Sequence, residues 1–296
     1  MSLFALASLK GAPGTTTLTC LVAATWPLDR RVVVAECDPF GGDLAARFEL
    51  STKKGCLSLA TAARRDPALV DIDPHVQRLP GGLEVLVGGS SSEMALAQSV
   101  TRANLNQAVI SAAGDVDVVA DLGRLAAPYD ECRQLLQTAA AVGVLIGPDP
   151  ASVAHAVDQR EPLEDLCGQR ISLIIVGRGT YRVRDVETRT GIRVSAEVPH
   201  DPVAAAVASG ASNGSRRLAR SVLVKSARRI ADSLAEIDDP AGTSLEDRSG
   251  ARPDIRTVRE NQSNRSARTD QGDQANWGDH SDEGDQGPST TLKVLP

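Results

Sequence analysis

Aromatic residues are scarce: Trp, Tyr and Phe together make up 2% of the 296 residues, so the core has to be aliphatic and rich in alanine. The five cysteines, Cys20, Cys37, Cys56, Cys132 and Cys167, are odd in number and never spaced C-x-x-C. That pattern points to neither a disulfide framework nor a zinc site, and it fits a reducing, cytoplasmic setting. No apolar run approaches the ~20 residues a membrane span needs, the most apolar later run being residues 139–146. The first apolar run stops at Lys10 and has no basic stretch before it, so it is too short for a secretory signal. Positive charge is in deficit as well, with a formal net charge of -6, which argues against a whole-molecule field drawing in nucleic acid or anionic lipid. Any such partner has to be met by a local patch.

What is present is a hydrophobic share of 42%, enough for one sizeable core. The chain is organised around residues 3–18, LFALASLKGAPGTTTL. Residues 3–9 read as a buried parallel strand, Lys10-Gly11-Ala12-Pro13-Gly14 breaks it, and the threonines that follow open a helix. Gly11 and Gly14 let the backbone curl and aim successive N–H groups at one point, where the helix N-terminus adds partial positive charge. Such a nest holds phosphate; a plain tight turn is the competing meaning. The strict pattern G-x-x-x-x-G-K-[ST] fails twice, with Leu9 at its first glycine and Thr15 at its lysine.

Apolar strands and helical stretches then alternate. Strands are expected at residues 31–35, 83–87, 116–121, 142–146, 171–176 and 191–198. Helices are expected at 16–25, 44–50, 57–64, 104–113, 130–139 and from 151, a helix-like stretch at 90–97, and a loop at 71–74. The order predicts an α/β fold with a doubly wound, mostly parallel sheet and helices on both faces. Two strands run into acidic groups: residues 31–35 into Glu36-Cys37-Asp38-Pro39, and residues 116–120 into Asp121. In open α/β sheets ligands collect at the carboxyl ends of the strands. A strand-end aspartate can hold Mg²⁺, usually through water, and both aspartates are also ordinary turn or cap residues.

The N-terminal stretch resembles the deviant Walker A motif of the ParA/MinD family of P-loop ATPases, K-G-G-x-G-K-[ST]-[ST]. The resemblance covers residues 1–238. It implies a MinD-like P-loop NTPase domain that binds ATP with Mg²⁺, with Lys10 as the signature lysine reaching a partner subunit's phosphates. It further implies that Gly11, Ala12, Pro13, Gly14, Thr15, Thr16 and Thr17 form the phosphate loop and helix start, with Thr16 as the Mg²⁺-binding hydroxyl. Asp38 matches the switch aspartate that positions the attacking water, and Asp121 the terminal aspartate of the Walker B strand. Glu36 replaces the first aspartate of D-x-D-P. The wording of residues 38–45, DPFGGDLA, is most similar to the pilus-localising CpaE/TadZ branch. Gly177-Arg178 stands where relatives have Asn-Arg at the base, leaving Arg178 there, and Pro199 and Asp201 match the base-lining P-x-D segment. His200 between them reads as a surface residue.

Residues 215–237 have helical periodicity, with Leu223, Ala227, Ile230 and Leu234 on one face and Arg217, Lys225, Arg228 and Arg229 on the other. A solvated basic face is one meaning; non-specific DNA contact, as in ParA relatives, is the other. Residues 239–296 are polar and charged, and such composition predicts a disordered tail. The expected function is a nucleotide-dependent homodimer that positions a cargo through a protein partner. Loss of the P-loop lysine at Thr15 makes hydrolysis weak or absent. A pseudo-ATPase scaffold and a DNA-binding regulator are the alternatives.

Overall fold

A computed structural model of the chain describes residues 1–10, 14–27, 30–89, 101–211 and 218–238. Expectations for residues 11–13, 90–97, Arg217 and the tail 239–296 lie outside the described residues. The strands are β1 (Leu3–Ser8), β2 (Val32–Glu36), β3 (Gln77–Arg78), β4 (Glu84–Leu86), β5 (Asp117–Arg124), β6 (Ala141–Ile146), β7 (Ile171–Val176) and β8 (Val194–Val198). They form one eight-stranded sheet in the order β3-β4-β2-β5-β1-β6-β7-β8. Every pairing is parallel except the two-residue β3, which runs antiparallel to β4. The helices are α1 (Thr15–Ala24), α2 (Leu44–Arg47), α3 (Cys56–Ala62), α4 (Arg102–Ala112), α5 (Arg133–Thr138), α6 (Pro150–Asp158), α7 (Arg160–Cys167), α8 (Val183–Thr190), α9 (Pro202–Ala208) and α10 (Val222–Asp238).

Period-two alternation along each strand feeds two cores, one per face. Leu3, Ala5 and Ala7 of β1 and Val118, Ala120 and Leu122 of β5 pack with α3 to α8. Phe4 and Leu6, Val34 and Val119 pack with α1, α2, α9 and α10 on the other face. The doubly wound α/β architecture is therefore as expected. Helices lie on both faces, and the chain turns from one side of β1 to the other between β5 and β6, which opens a crevice at the carboxyl ends of β1 and β5. On α10, Leu223, Ala227, Ile230 and Leu234 are buried as their spacing predicts.

Several boundaries differ. Asp121 does not end its strand: β5 runs on to Arg124, because the ladder with β1 continues past a register shift between Leu6 and Ser8. Asp121 lies inside the strand, opposite both Leu6 and Glu36. The helix expected over 44–50 stops at Arg47, and Glu49 takes a positive φ of 53°. The loop expected over 71–74 contains a turn of 3-10 helix, Asp73–His75. α7, α8 and α9 have no counterpart in the sequence reading. In α8 only Val186 and Thr190 are buried, too few to mark a periodic face.

Candidate functional site

Alternation along β5 sets the site. Asp117, Val119 and Asp121 share the face that α1 covers, so a charged side chain at 121 is driven into the core beneath the start of that helix. Asp121 is fully buried. Its Oδ1 accepts the Gly123 N–H at 3.0 Å, whereas its Oδ2 has no hydrogen-bond partner among the described residues. Burial pushes its pKa up; the Thr16 hydroxyl and the Gly123 N–H oppose this, as does the charge of Arg47. A buried carboxylate oxygen without a donor costs free energy, and a cation or a donor from outside the chain removes that cost.

Asp38 lies beside it. Cys37 N–H donates to the Asp121 carbonyl at 2.8 Å, which ties the start of the 37–43 loop to β5. The Asp38 carboxylate packs directly on Gly123, where a Cβ would come within 1.8 Å of Oδ2. Gly123 also has φ +56°, so a side chain there is excluded by both strain and space. Asp38 is pushed up to about 6, first by burial; Asp121 and Asp43 add repulsion, while the Phe40 N–H and Arg102 oppose it. Arg102 is buried, donates to the Cys37 carbonyl at 3.3 Å and pairs with Glu131 at 3.2 Å.

Glu36 is, with Asp121, the other fully buried acid at this edge. Its carboxylate accepts N–H groups from Asp43 at 2.7 Å, Leu44 at 3.0 Å and Gly88 at 2.8 Å. It thereby clamps the loop before α2 to the segment after β4. Burial raises its pKa to about 7 against those three N–H donors, with Asp121 adding to the rise. Gly42 makes room for it, since a Cβ there would lie 2.1 Å from Glu36 Oε2.

The remaining sequence-derived residues divide. Gly14 takes a left-handed conformation (φ 86°) at the N-cap of α1, and Thr15, Thr16 and Thr17 form the first turn, Thr15 being buried. Lys10 is exposed, and its charge contributes to holding the Asp149 carboxyl below the usual range, where hydrogen bonds from Ser152 are the main cause. Pro199, His200 and Asp201 line a cavity of about 90 Å³ with Gly14, Thr17, Leu18, Val176, Val198, Ala205 and Leu223. Within it, Asp201 is also the N-cap of α9, accepting the Ala204 N–H at 3.0 Å. Arg178 is exposed and does not line that cavity. His200 is exposed as expected. Lys225, Arg228 and Arg229 are exposed on α10.

Three residues of the site escaped the sequence reading. Glu36 was seen only as a replacement, Arg102 not at all, and Arg47 sits on a helix too short to carry periodicity. The available signal for Arg47 was its spacing, four residues after Asp43 and the only cation between Arg31 and Lys53. A larger cavity, about 730 Å³, lies elsewhere, at the amino ends of the strands among Trp26, Arg30, Arg31, Asp73, Arg78 and Glu84. Its arginines are paired with acids, Arg30 with Asp117, Arg31 with Asp73 and Glu84, and Arg78 with Glu84. Among the described residues its arginines are therefore compensated and offer no free positive charge to a ligand.

No helix among the described residues is long and apolar enough to cross a membrane. No protein-family model matches the chain, and no curated protein matches its sequence. Solved structures do match its shape. The ParA family ATPase from Chlorobium tepidum superposes with a TM-score of 0.65 at 16% identity, over 78% of this chain and 97% of that one. The septum site-determining protein MinD from Pyrococcus horikoshii, complexed with Mg-ADP, gives 0.64 at 15% identity, over 82% and 99%. Cobyrinic acid a,c-diamide synthase from Mycobacterium smegmatis, with a bound ATP analogue and magnesium, gives 0.56 at 20% identity, over 80% and 94%. At such identities it is the fold that is shared: this chain has the architecture of the ParA/MinD-type P-loop NTPases.

Proposed function

We propose that the chain binds ATP with Mg²⁺ at the N-terminus of α1, dimerises around the nucleotide and positions a cargo through a protein partner, with little or no hydrolysis. The observation that carries this reading is the buried Asp121, whose burial-raised pKa is opposed by the neighbouring Thr16 hydroxyl and whose Oδ2 meets no hydrogen bond of ordinary geometry among the described residues. Carboxylate and hydroxyl oxygens suit Mg²⁺, which keeps several waters and takes further oxygens from phosphate. Among the described residues no cluster of three or more His, Cys, Asp or Glu side chains is placed to hold a metal alone, so phosphate and water must complete its shell. When bound, the metal supplies positive charge to the β- and γ-phosphates.

The chain's own groups do the rest. The first-turn N–H groups of α1 and the Thr16 and Thr17 hydroxyls orient the phosphates, and Gly11, Ala12 and Pro13 are assigned to the phosphate loop on their sequence alone. Pro199 and Asp201 border the base. With its pKa near 6, Asp38 is ionised at neutral pH and can accept a hydrogen bond from water. Lys10 serves the partner subunit. Thr15 carries no charge, and a lost contact of this class costs about 1.5–3 kcal/mol, so binding survives at reduced affinity. Hydrolysis suffers more, because charge on the transferred group grows in the transition state. Residues 1–238 are the proposed nucleotide domain. The place of action is the cytoplasm, and the pilus-localising branch is the nearest in wording.

The fold alone does not select a positioning role, since a synthase shares it. Size-exclusion with light scattering tests the reading: addition of ATP and Mg²⁺ is expected to double the mass. Calorimetry showing no nucleotide affinity would replace it with the scaffold reading. DNA binding lost on charge reversal at Lys225, Arg228 and Arg229, yet insensitive to Lys10→Ala, would replace it with the regulator.

A further inference from the structure

The first turn of α1 is built from three threonines and contains no charged side chain. Around it stand Glu36, Asp38, Asp43 and Asp121, so an incoming polyphosphate meets carboxylates at short range. A compensating cation has to come from elsewhere in the fold. Arg47, the last residue of α2, is that cation: its Nη1 lies 3.5 Å from the Thr17 Oγ1 and its Nη2 2.7 Å from Asp43 Oδ2. Its charge also lowers the pKa values of Asp121 and Cys20.

We propose that Arg47 is a phosphate-binding residue of this site, reaching from α2 across the first turn of α1 to supply the positive charge that Thr15 cannot. Four observations support it. The guanidinium sits over Thr17, whose side chain also borders the small cavity beside Pro199 and Asp201. Its partner Asp43 is 65% exposed and four residues away, and exposed pairs of that kind are weak, so the guanidinium is free to exchange it for phosphate. An arginine presents a planar fork of five donors that matches phosphate, and only two contacts are made here. The unpartnered Asp121 Oδ2 under the same helix start marks this end of α1 as a place for a ligand rather than a bare terminus. The Arg47 N–H donates to the Asp43 carbonyl at 2.9 Å, and Gly210 lies so close to the Arg47 carbonyl oxygen that a Cβ there would come within 3.0 Å of it.

This inference rests on the nucleotide reading above, and calorimetric titration of the full chain with ATP and Mg²⁺ separates the two. Arg47→Ala is expected to weaken binding by roughly tenfold to a hundredfold, Arg47→Lys by less than tenfold, and Asp43→Ala not at all. Adding Thr15→Lys to Arg47→Ala is expected to recover at least half of the lost affinity on a logarithmic scale. Arg47→Gln, which keeps most of the packing, is read in place of Arg47→Ala if circular dichroism shows that the latter does not fold. Arg78→Ala at the opposite edge serves as the charge control. Binding by Arg47→Ala within twofold of wild type overturns the inference and leaves the nucleotide reading standing. So does an equal loss in Asp43→Ala, which would make the pair a structural brace, and so does a double variant no better than Arg47→Ala. A wild-type chain that binds no ATP overturns both.

Discussion

Asp117 and Asp121 lie on one strand, on one face, fully buried, and they are wired in opposite ways. Asp117 receives the Ser2 N–H at 3.0 Å, the Trp26 indole N–H at 2.8 Å and Arg30 at 2.6 Å. Asp121 receives one backbone N–H, lies beside the Thr16 hydroxyl, and has an Oδ2 with no hydrogen-bond partner of ordinary geometry among the described residues. The amino end of β5 therefore has its buried acid satisfied by the chain, and the carboxyl end leaves one Asp121 oxygen without a partner among the described residues. Burial alone does not mark function. The difference lies in whether the chain itself satisfies the charge.

That contrast breaks first at Asp117. Asp117→Ala removes the carboxylate that pairs with half-buried Arg30 and accepts the buried Trp26 indole N–H, and is expected to cost about 3–5 kcal/mol in urea denaturation. A loss below 1 kcal/mol would mean that the amino-edge network is dispensable and the comparison empty.

Glu36 sharpens it next. Its folded pKa of about 7 lies above the ordinary 4.5, so the native state holds a proton that the unfolded chain has already released between those values. Its contribution to stability is fully present below about pH 4.5 and is lost as pH rises through about 7, a change of about 3 kcal/mol. Glu36→Gln removes this titration. Its stability relative to wild type should therefore rise by about that amount across the same window, and a flat difference would show that Glu36 is not held as described.

Asp121→Asn is expected to leave the ligand-free chain as stable as wild type or up to about 1 kcal/mol more so, because it withdraws a charge the fold does not pair. It should also abolish any stabilisation by ATP and Mg²⁺. A loss as large as that of Asp117→Ala would place the two aspartates in one class.

Smallest is the effect of replacing Lys225, Arg228 and Arg229 with Glu. These side chains are exposed, so each should change stability by no more than about 0.5 kcal/mol, and a larger loss in thermal melting would reveal packing on that face.

The strands were readable in advance because a sheet covered on both sides needs nearly continuous apolar runs, and VVVA or VGVLI can hardly be anything else. Thr16, Asp38 and Asp121 were singled out through the resemblance of their segments to the deviant Walker A motif and its acidic partners, at the edge where α/β folds place their ligands. α8 and β3 were not, since one buries few side chains and the other spans two residues. Arg47 was missed because its significance depends on Thr17, thirty residues away, and a four-residue helix has no period to betray its orientation.

Sequence alone determined the layering, the order of the elements and the stretches that line the carboxyl edge, because hydrophobic patterning is local and survives without knowledge of neighbours. Only the tertiary structure decided which acids go unpaired, that Asp121 lies within its strand rather than at its tip, and which cation faces the start of α1. Those depend on donors and charges brought together from distant parts of the chain, and a buried group's state is set by what touches it.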